Sequence, residues 1–186
     1  MTDIVEIEKP RLMLTVGLPR SGKSTFLRES GIPTVCPDEV RKFLGCFPFQ
    51  HDMEPEVWKI VRCMVHSLFA SGAKEVALDA TNTTIQRRKE WRNPDQWTRH
   101  FYFFPVEKDV CIERALANDQ PYLVDVINRM ADAYEPVTSM ELEDGDSWTN
   151  VIHGNGVIMS SYKWWRSPTT TDDIGRPVGL VEKGNV

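Results

Sequence analysis

Residues 12–25 read Leu12-Met13-Leu14-Thr15-Val16-Gly17-Leu18-Pro19-Arg20-Ser21-Gly22-Lys23-Ser24-Thr25. The first five form an apolar run without alternation, the pattern of a strand covered on both faces in a parallel sheet. Gly17 ends the run. Gly17 to Ser24 then matches the spacing G-x-x-x-x-G-K-[ST]. Each position has a physical reason. The glycines let the loop turn back so that its N–H groups point at a phosphate, and the helix that starts near Lys23 adds its positive dipole end. Lys23 places a charge on the β and γ oxygens, and the Ser24 hydroxyl suits Mg²⁺ bridging the same phosphates. Ordinary residue frequencies give such a match by chance in about 0.6% of chains this long. The expected ligand is therefore a nucleoside triphosphate, ATP with Mg²⁺, held by Gly17, Arg20, Ser21, Gly22, Lys23, Ser24 and Thr25.

Outward from this loop, the pattern predicts a helix to about Gly31, a short strand over 34–36, and a helix from Asp38 to about Leu44. Residues 47–53 read as a loop. Pro55 to Ser71 is the strongest helix, with Val57, Val61, Met64, Val65 and Leu68 at helical spacing. Strands are expected over 75–78, 101–106 and 150–153, and helices over 84–91, 109–117 and 121–134. Strands alternating with helices predict an α/β fold with a parallel central sheet. Residues 1–153 read as one domain and 154–186 as a C-terminal extension with little core of its own.

The composition fits this reading. The chain has 186 residues, 41% hydrophobic and 26% charged, with 22 Lys+Arg against 27 Asp+Glu and a net charge of -5. A generally basic nucleic-acid coat is excluded, whereas a local basic groove is not. No apolar run approaches the roughly 18 residues of a membrane span. The acidic start MTDIVEIEKP lacks the features of a secretion signal, and the four cysteines form no C-x-x-C pair. These features read as a cytosolic protein with reduced thiols and no zinc site.

Four segments in order carry a more specific signal: LTVGLPRSGKST (14–25), CPDEVR (36–41), LDATNTTIQRRKEW (78–91) and IERA (112–115). Over about residues 11–153 the chain resembles the 5′-hydroxyl polynucleotide kinase family, in particular the kinase domain of bacteriophage polynucleotide kinase/phosphatases. The resemblance implies a P-loop kinase fold with a helical lid, and transfer of the γ-phosphate of ATP to a hydroxyl of DNA or RNA. It implies that Asp38 is the general base, that Arg41 contacts the acceptor's neighbouring phosphate, and that Arg114 is a lid residue clamping the donor.

The residues themselves leave alternatives open. Asp38 also suits a helix N-cap, and Arg41 can be a surface partner of Asp38. Asp79, ending the third strand, is placed to hold Mg²⁺ or its water shell, while Asn82 or Thr83 can cap the next helix. Asp79 and Asn82 join Arg41 and Arg88 as expected substrate contacts. Arg87, Arg88, Lys89, Arg92 and Arg99, interleaved with Trp91 and Trp97, form either a strand-binding patch or a solvated face over core tryptophans. The family pattern often carries a second lid Arg four residues beyond Arg114, where this chain has Asn118. The aromatic cluster Tyr162-Lys163-Trp164-Trp165-Arg166 either stacks on bases or packs on the domain.

Three functions compete. The first is a kinase for a 5′-hydroxyl end. The second is a kinase for another hydroxyl, such as a hydroxymethyl group on a modified base, a nucleoside or a small metabolite. The third is a nucleotide-binding regulatory module without transfer activity.

Overall fold

The computed structural model describes residues 9–47, 49–143, 145–152 and 158–162. The strands are β1 (Arg11–Val16), β2 (Thr34–Val35), β3 (Glu75–Leu78), β4 (Thr98–Phe103), β5 (Ser147–Ile152) and β6 (Ile158–Tyr162). The helices are α1 (Lys23–Ser30), α2 (Pro37–Phe43), α3 (Glu54–Ala70), α4 (Ile85–Lys89), α5 (Lys108–Ala117) and α6 (Leu123–Asp132). One sheet has the order β2-β3-β1-β4-β5-β6. The first five strands run parallel, and β6 pairs antiparallel with β5. Strand β6 thus lies in the stretch expected to be an extension. The aromatic cluster is outside the described residues from Lys163 onward.

The apolar run of β1 has the cause inferred for it. Leu12, Leu14 and Val16 face one core, which contains Val57, Val61 and Val65 of α3. Met13 faces the other, with Leu27, Tyr102 and Phe104. Both faces are covered, so polar residues are not tolerated at alternate positions. Helix α3 uses a narrower stripe than its sequence suggests, because Met64 is exposed. A third cluster joins Leu18 of the P-loop to Cys111 and Ala115 of α5 and Ile127 of α6. The α5–α6 pair therefore rests directly on the loop, in the position of the expected lid.

Strands β4 and β5 each begin three residues before the expected start, for one reason. Their first residues are polar, yet they satisfy one another inside. The ring of His100 lies 2.6 Å from the Ser147 hydroxyl and 3.0 Å from that of Thr149. Arg99 bonds both carboxylate oxygens of Asp146. A hydropathy pattern sees only polar residues here; paired, they cost little to bury.

Among the described residues no helix is long and apolar enough to cross a membrane. All four cysteines are free, with Cys46 and Cys111 buried and Cys63 exposed.

Burial, with a smaller contribution from the Arg11 charge, pushes the His100 imidazole down to about 4. An unfolded chain would protonate it near 6.5. The neutral ring therefore stabilises the fold fully above pH 6.5, and this contribution is lost as the pH falls toward 4. Urea unfolding at pH 7.5 and 5 should show wild type losing about 2 kcal/mol more than H100Q. Equal losses would exclude His100 as the titrating group.

Candidate active site

The carboxyl ends of β1, β2 and β3 share one edge of the sheet. In parallel α/β sheets this edge carries the binding crevice. The P-loop leaves β1 there. Gly17 allows a close approach, since a Cβ on it would meet the Ser21 hydroxyl at 2.9 Å and the Phe104 carbonyl at 3.0 Å. Arg20 and Gly22 both have positive φ, 65° and 104°. Such alternation curls successive amides into an anion-binding nest. Helix α1 starts at once, with no side-chain cap and no acidic residue in its first turn. Its leading N–H groups are therefore directed at whatever the loop encloses.

Lys23 is buried, and its ammonium donates to the Leu18 carbonyl at 2.5 Å and the Ser21 hydroxyl at 3.2 Å. Burial pushes its pKa down to about 8, opposed by the negative charges of Asp79 and Asp38. Asp79 lies just past β3, and burial raises its pKa against a hydrogen bond from Ser24 and the Lys23 charge. Lys23 thus feels the charges of Asp79 and Asp38, and Ser24 adjoins Asp79.

A cavity of about 350 Å³ is lined by Arg20, Gly22, Lys23, Ser24, Thr25, Arg114 and Asn118. Arg114 donates to the Arg20 carbonyl at 3.2 Å, tying the lid to the loop. Arg20 itself bonds Gln120 of the lid. Asn118 donates to the Arg114 carbonyl at 2.8 Å and so closes the end of α5. No second cation stands at 118, but Arg20 brings one to the same cavity from the loop side.

Asp38 lies in the first turn of α2, where its side chain is 62% exposed. Arg41 donates from Nη1 to Asp38 and, in a two-pronged fork, from Nε and Nη2 to Glu54 at 2.7 and 2.8 Å. Burial alone would raise Glu54, but the bonds and charge of Arg41 outweigh it and hold its pKa below the usual range. The Trp58 indole adds a bond at 3.0 Å. Glu54 is absent from the sequence expectations. Its only sequence signal is as the opening residue of α3, a place that a helix dipole already explains. The fold links it to Arg41 across thirteen residues.

Two expected substrate contacts are corrected. Arg88 is completely buried, forked onto Glu141 at 2.8 and 2.9 Å and donating to the Asn82 and Pro136 carbonyls. Every arm is engaged inside, so none reaches a substrate. Asn82 is also buried, with φ 43°, and its amide donates to the Thr15 carbonyl at 2.9 Å. With the Gly17 amide bonded to the Thr81 carbonyl and the Thr15 hydroxyl to the Leu78 and Ala80 carbonyls, Asn82 stitches the β3 exit to the P-loop entry. Thr84, not Asn82 or Thr83, caps α4. The basic patch resolves likewise: Arg99 is paired inside, Trp91 and Trp97 are core, and Arg92 and Arg87 pair with Glu143 and Glu90.

The donor set fits Mg²⁺ carried by a nucleotide. Among the described residues no group of three or more His, Cys, Asp or Glu could hold a metal by itself. Nucleotide-bound Mg²⁺ needs only one or two protein oxygens beside phosphate and water. Ser24 and Asp79, bonded to each other, supply that number.

No protein-family model matches the chain, and no curated protein matches it. Solved structures do. A chain in the structure of the Pnkp1/Rnl/Hen1 complex superposes with a TM-score of 0.53 at 25% identity, covering 57% of this chain and 39% of that one. A chain of the Pnkp1/Rnl/Hen1 RNA repair complex gives 0.57 at 19% identity, covering 73% and 49%. An inferred kinase from Chloroflexus aurantiacus gives 0.50 at 15% identity, covering 65% and 76%. The protein has a P-loop kinase fold. It spans less than half the length of the two repair-complex chains that it matches.

The reassignment of Arg88 can be measured. R88A should lose about 3–5 kcal/mol of stability by stranding Glu141. R87A, at a half-exposed pair, should lose about 1 kcal/mol or less. Equal, small losses in chemical denaturation would return Arg88 to the surface role.

Proposed function

We propose that this P-loop kinase fold transfers the γ-phosphate of ATP to the 5′-hydroxyl end of a nucleic acid. The observation that carries this reading is the Asp38–Arg41 pair, held by Glu54 at the sheet edge within electrostatic reach of Lys23. A protein that only binds nucleotide needs no exposed carboxylate facing its triphosphate. The family resemblance of residues 11–153 and the similarity to chains of the Pnkp1 complexes support the same acceptor. The openness of Asp38 favours a large acceptor over a small metabolite, which calls for an enclosed pocket.

The roles follow from position. The α1 amides and Lys23 hold the donor phosphates. Asp38 accepts the proton of the acceptor hydroxyl as its oxygen bonds the γ-phosphorus and the bond to the β-phosphate oxygen breaks, releasing ADP. Arg41 steadies Asp38, and because its three nitrogens are taken up by Asp38 and Glu54, contact with the acceptor's neighbouring phosphate requires one of these pairs to open. Arg114 and Arg20 balance charge on the transferring group. Ser24 and Asp79 would hold Mg²⁺, which would supply neutralising charge to the donor phosphates.

The decisive experiment incubates the protein with γ-labelled ATP, Mg²⁺ and a panel of acceptors: 5′-hydroxyl DNA and RNA, duplexes with modified bases, nucleosides and sugars. Label should appear at 5′ ends. Label on internal bases or on small molecules alone would replace this reading with another kinase. D38A should lower turnover about 100- to 10,000-fold with ATP affinity kept. Full turnover in D38A would remove the assigned base.

The depressed pKa of Lys23 gives a second test. Below pH 8 the free protein already carries the charge that phosphate requires. Above pH 8, binding must add a proton, so ATP affinity should fall as the pH rises. Calorimetric titration at pH 9 in two buffers of different ionisation enthalpy should show proton uptake that vanishes in K23M. Uptake unchanged in K23M would assign it elsewhere.

A further inference from the structure

Three phenylalanines are exposed on and just after α2, the helix that carries Asp38: Phe43 is 87% exposed, Phe47 46% and Phe49 60%. Phe43 ends α2, the helix whose first turn carries Asp38. Phe47 and Phe49 follow in the loop before α3. The Arg41 guanidinium lies 5.6 Å from the centre of the Phe49 ring, and the Lys42 ammonium 5.7 Å from that of Phe47. The His51 ring meets that of Phe49 edge-on at 6.3 Å, and about half of the Phe47 and Phe49 surface remains open to solvent.

We propose that Phe47 and Phe49 form a stacking platform for unpaired bases at the 5′ end of a single-stranded acceptor, with Phe43 extending it. The proposal rests on the kinase reading and narrows it from a hydroxyl on nucleic acid to a single-stranded end.

Continuity with the site carries it furthest. Arg41 touches both Asp38 and the Phe49 ring, so the ring lies within about 10 Å of the carboxylate. That is the reach of a terminal nucleotide whose hydroxyl sits at Asp38 and whose base turns toward the loop. A paired base keeps its stacking faces inside the duplex; an unpaired base offers one to an aromatic ring. Arg41 and Lys42 then back the rings, and a stacked base lies on the solvent-exposed side.

The charge pattern points the same way. Arg41 is matched by Asp38 and Glu54, and Lys42 by Glu39. The ledge therefore has little net positive field. Grip must come mainly from stacking, and its salt dependence should be that of one or two phosphates rather than a long tract. A protein partner fits less well, because interface cores are depleted in charge and this ledge alternates rings with Glu39, Arg41 and Lys42.

The test is a cycle between protein and acceptor. Steady-state transfer is measured on a 5′-hydroxyl single strand and on the same strand with its two terminal nucleotides abasic. F49A should raise KM for the normal strand roughly five- to hundredfold. The cost should shrink to within twofold on the abasic strand, and F49Y should restore the normal strand. Equal losses on both strands, or none on either, overturn the platform.

A binding readout separates this from the kinase reading. In F49W, an unlabelled single strand should quench the new indole fluorescence, and a blunt duplex should not. Quenching in a protein that transfers no phosphate to any 5′ end keeps the platform and removes the proposed function. Transfer without quenching does the reverse. Self-association of the wild type that disappears in F43S/F49S assigns the face to a second copy and overturns the proposal.

Discussion

The constraint from which the rest follows is the double enclosure of β1. It is hydrogen-bonded to β3 on one edge and β4 on the other, and its two faces enter two separate cores. A strand so confined can present nothing along its length. Only its carboxyl end is free, and there the chain must turn sharply. The turn is made from Gly17, a left-handed Arg20 and Gly22, a backbone alternation suited to holding an anion. The neighbouring strand ends then open at the same edge of the sheet. Asp79 sits beside Ser24 because β3 pairs with β1, and Asp38 stands across from Lys23 because β2 pairs with β3.

Buried arginines do a different job. Arg88 and Arg99 engage Glu141 and Asp146 and donate to the Asn82, Pro136, Arg88 and Glu141 carbonyls. They fix the segment before β5 against the segment before β4. A buried ion pair gains little over a well-packed apolar one, yet losing one partner is costly. These pairs lie beside the starts of β4 and β5, where hydropathy gives no strand signal, and they remove two cations from the surface.

This explains which parts of the molecule could be read in advance. The loop from Gly17 to Ser24 depends on near neighbours in sequence, so its conformation between β1 and α1 was legible. So was the stripe Val57, Val61 and Val65, which one helix turn sets. The fates of Arg88, Asn82 and Glu54 depend on partners 53, 67 and 13 residues away. No local pattern separates an arginine that meets a phosphate from one that meets a distant glutamate. The starts of β4 and β5 were hidden likewise, since Arg99, His100, Ser147 and Thr149 look polar until they are paired.

The same pairing changes what the net charge of -5 means. An acidic total seems to oppose a polyanionic partner, but the field that matters is local. Near the donor, Lys23, Arg20 and Arg114 are gathered around one cavity. On α2 and the loop after it, Arg41 and Lys42 each already have a carboxylate, and the exposed surface combines these pairs with Phe43, Phe47 and Phe49. The two halves of the site thus differ in physics: charge dominates where a triphosphate fits, and flat apolar area where Asp38 opens to solvent. Among the described residues, α2 and the loop after it offer the backbone of a long duplex no row of unpaired cations. The proposed platform would hold one end instead, because stacking acts over a base or two and then stops.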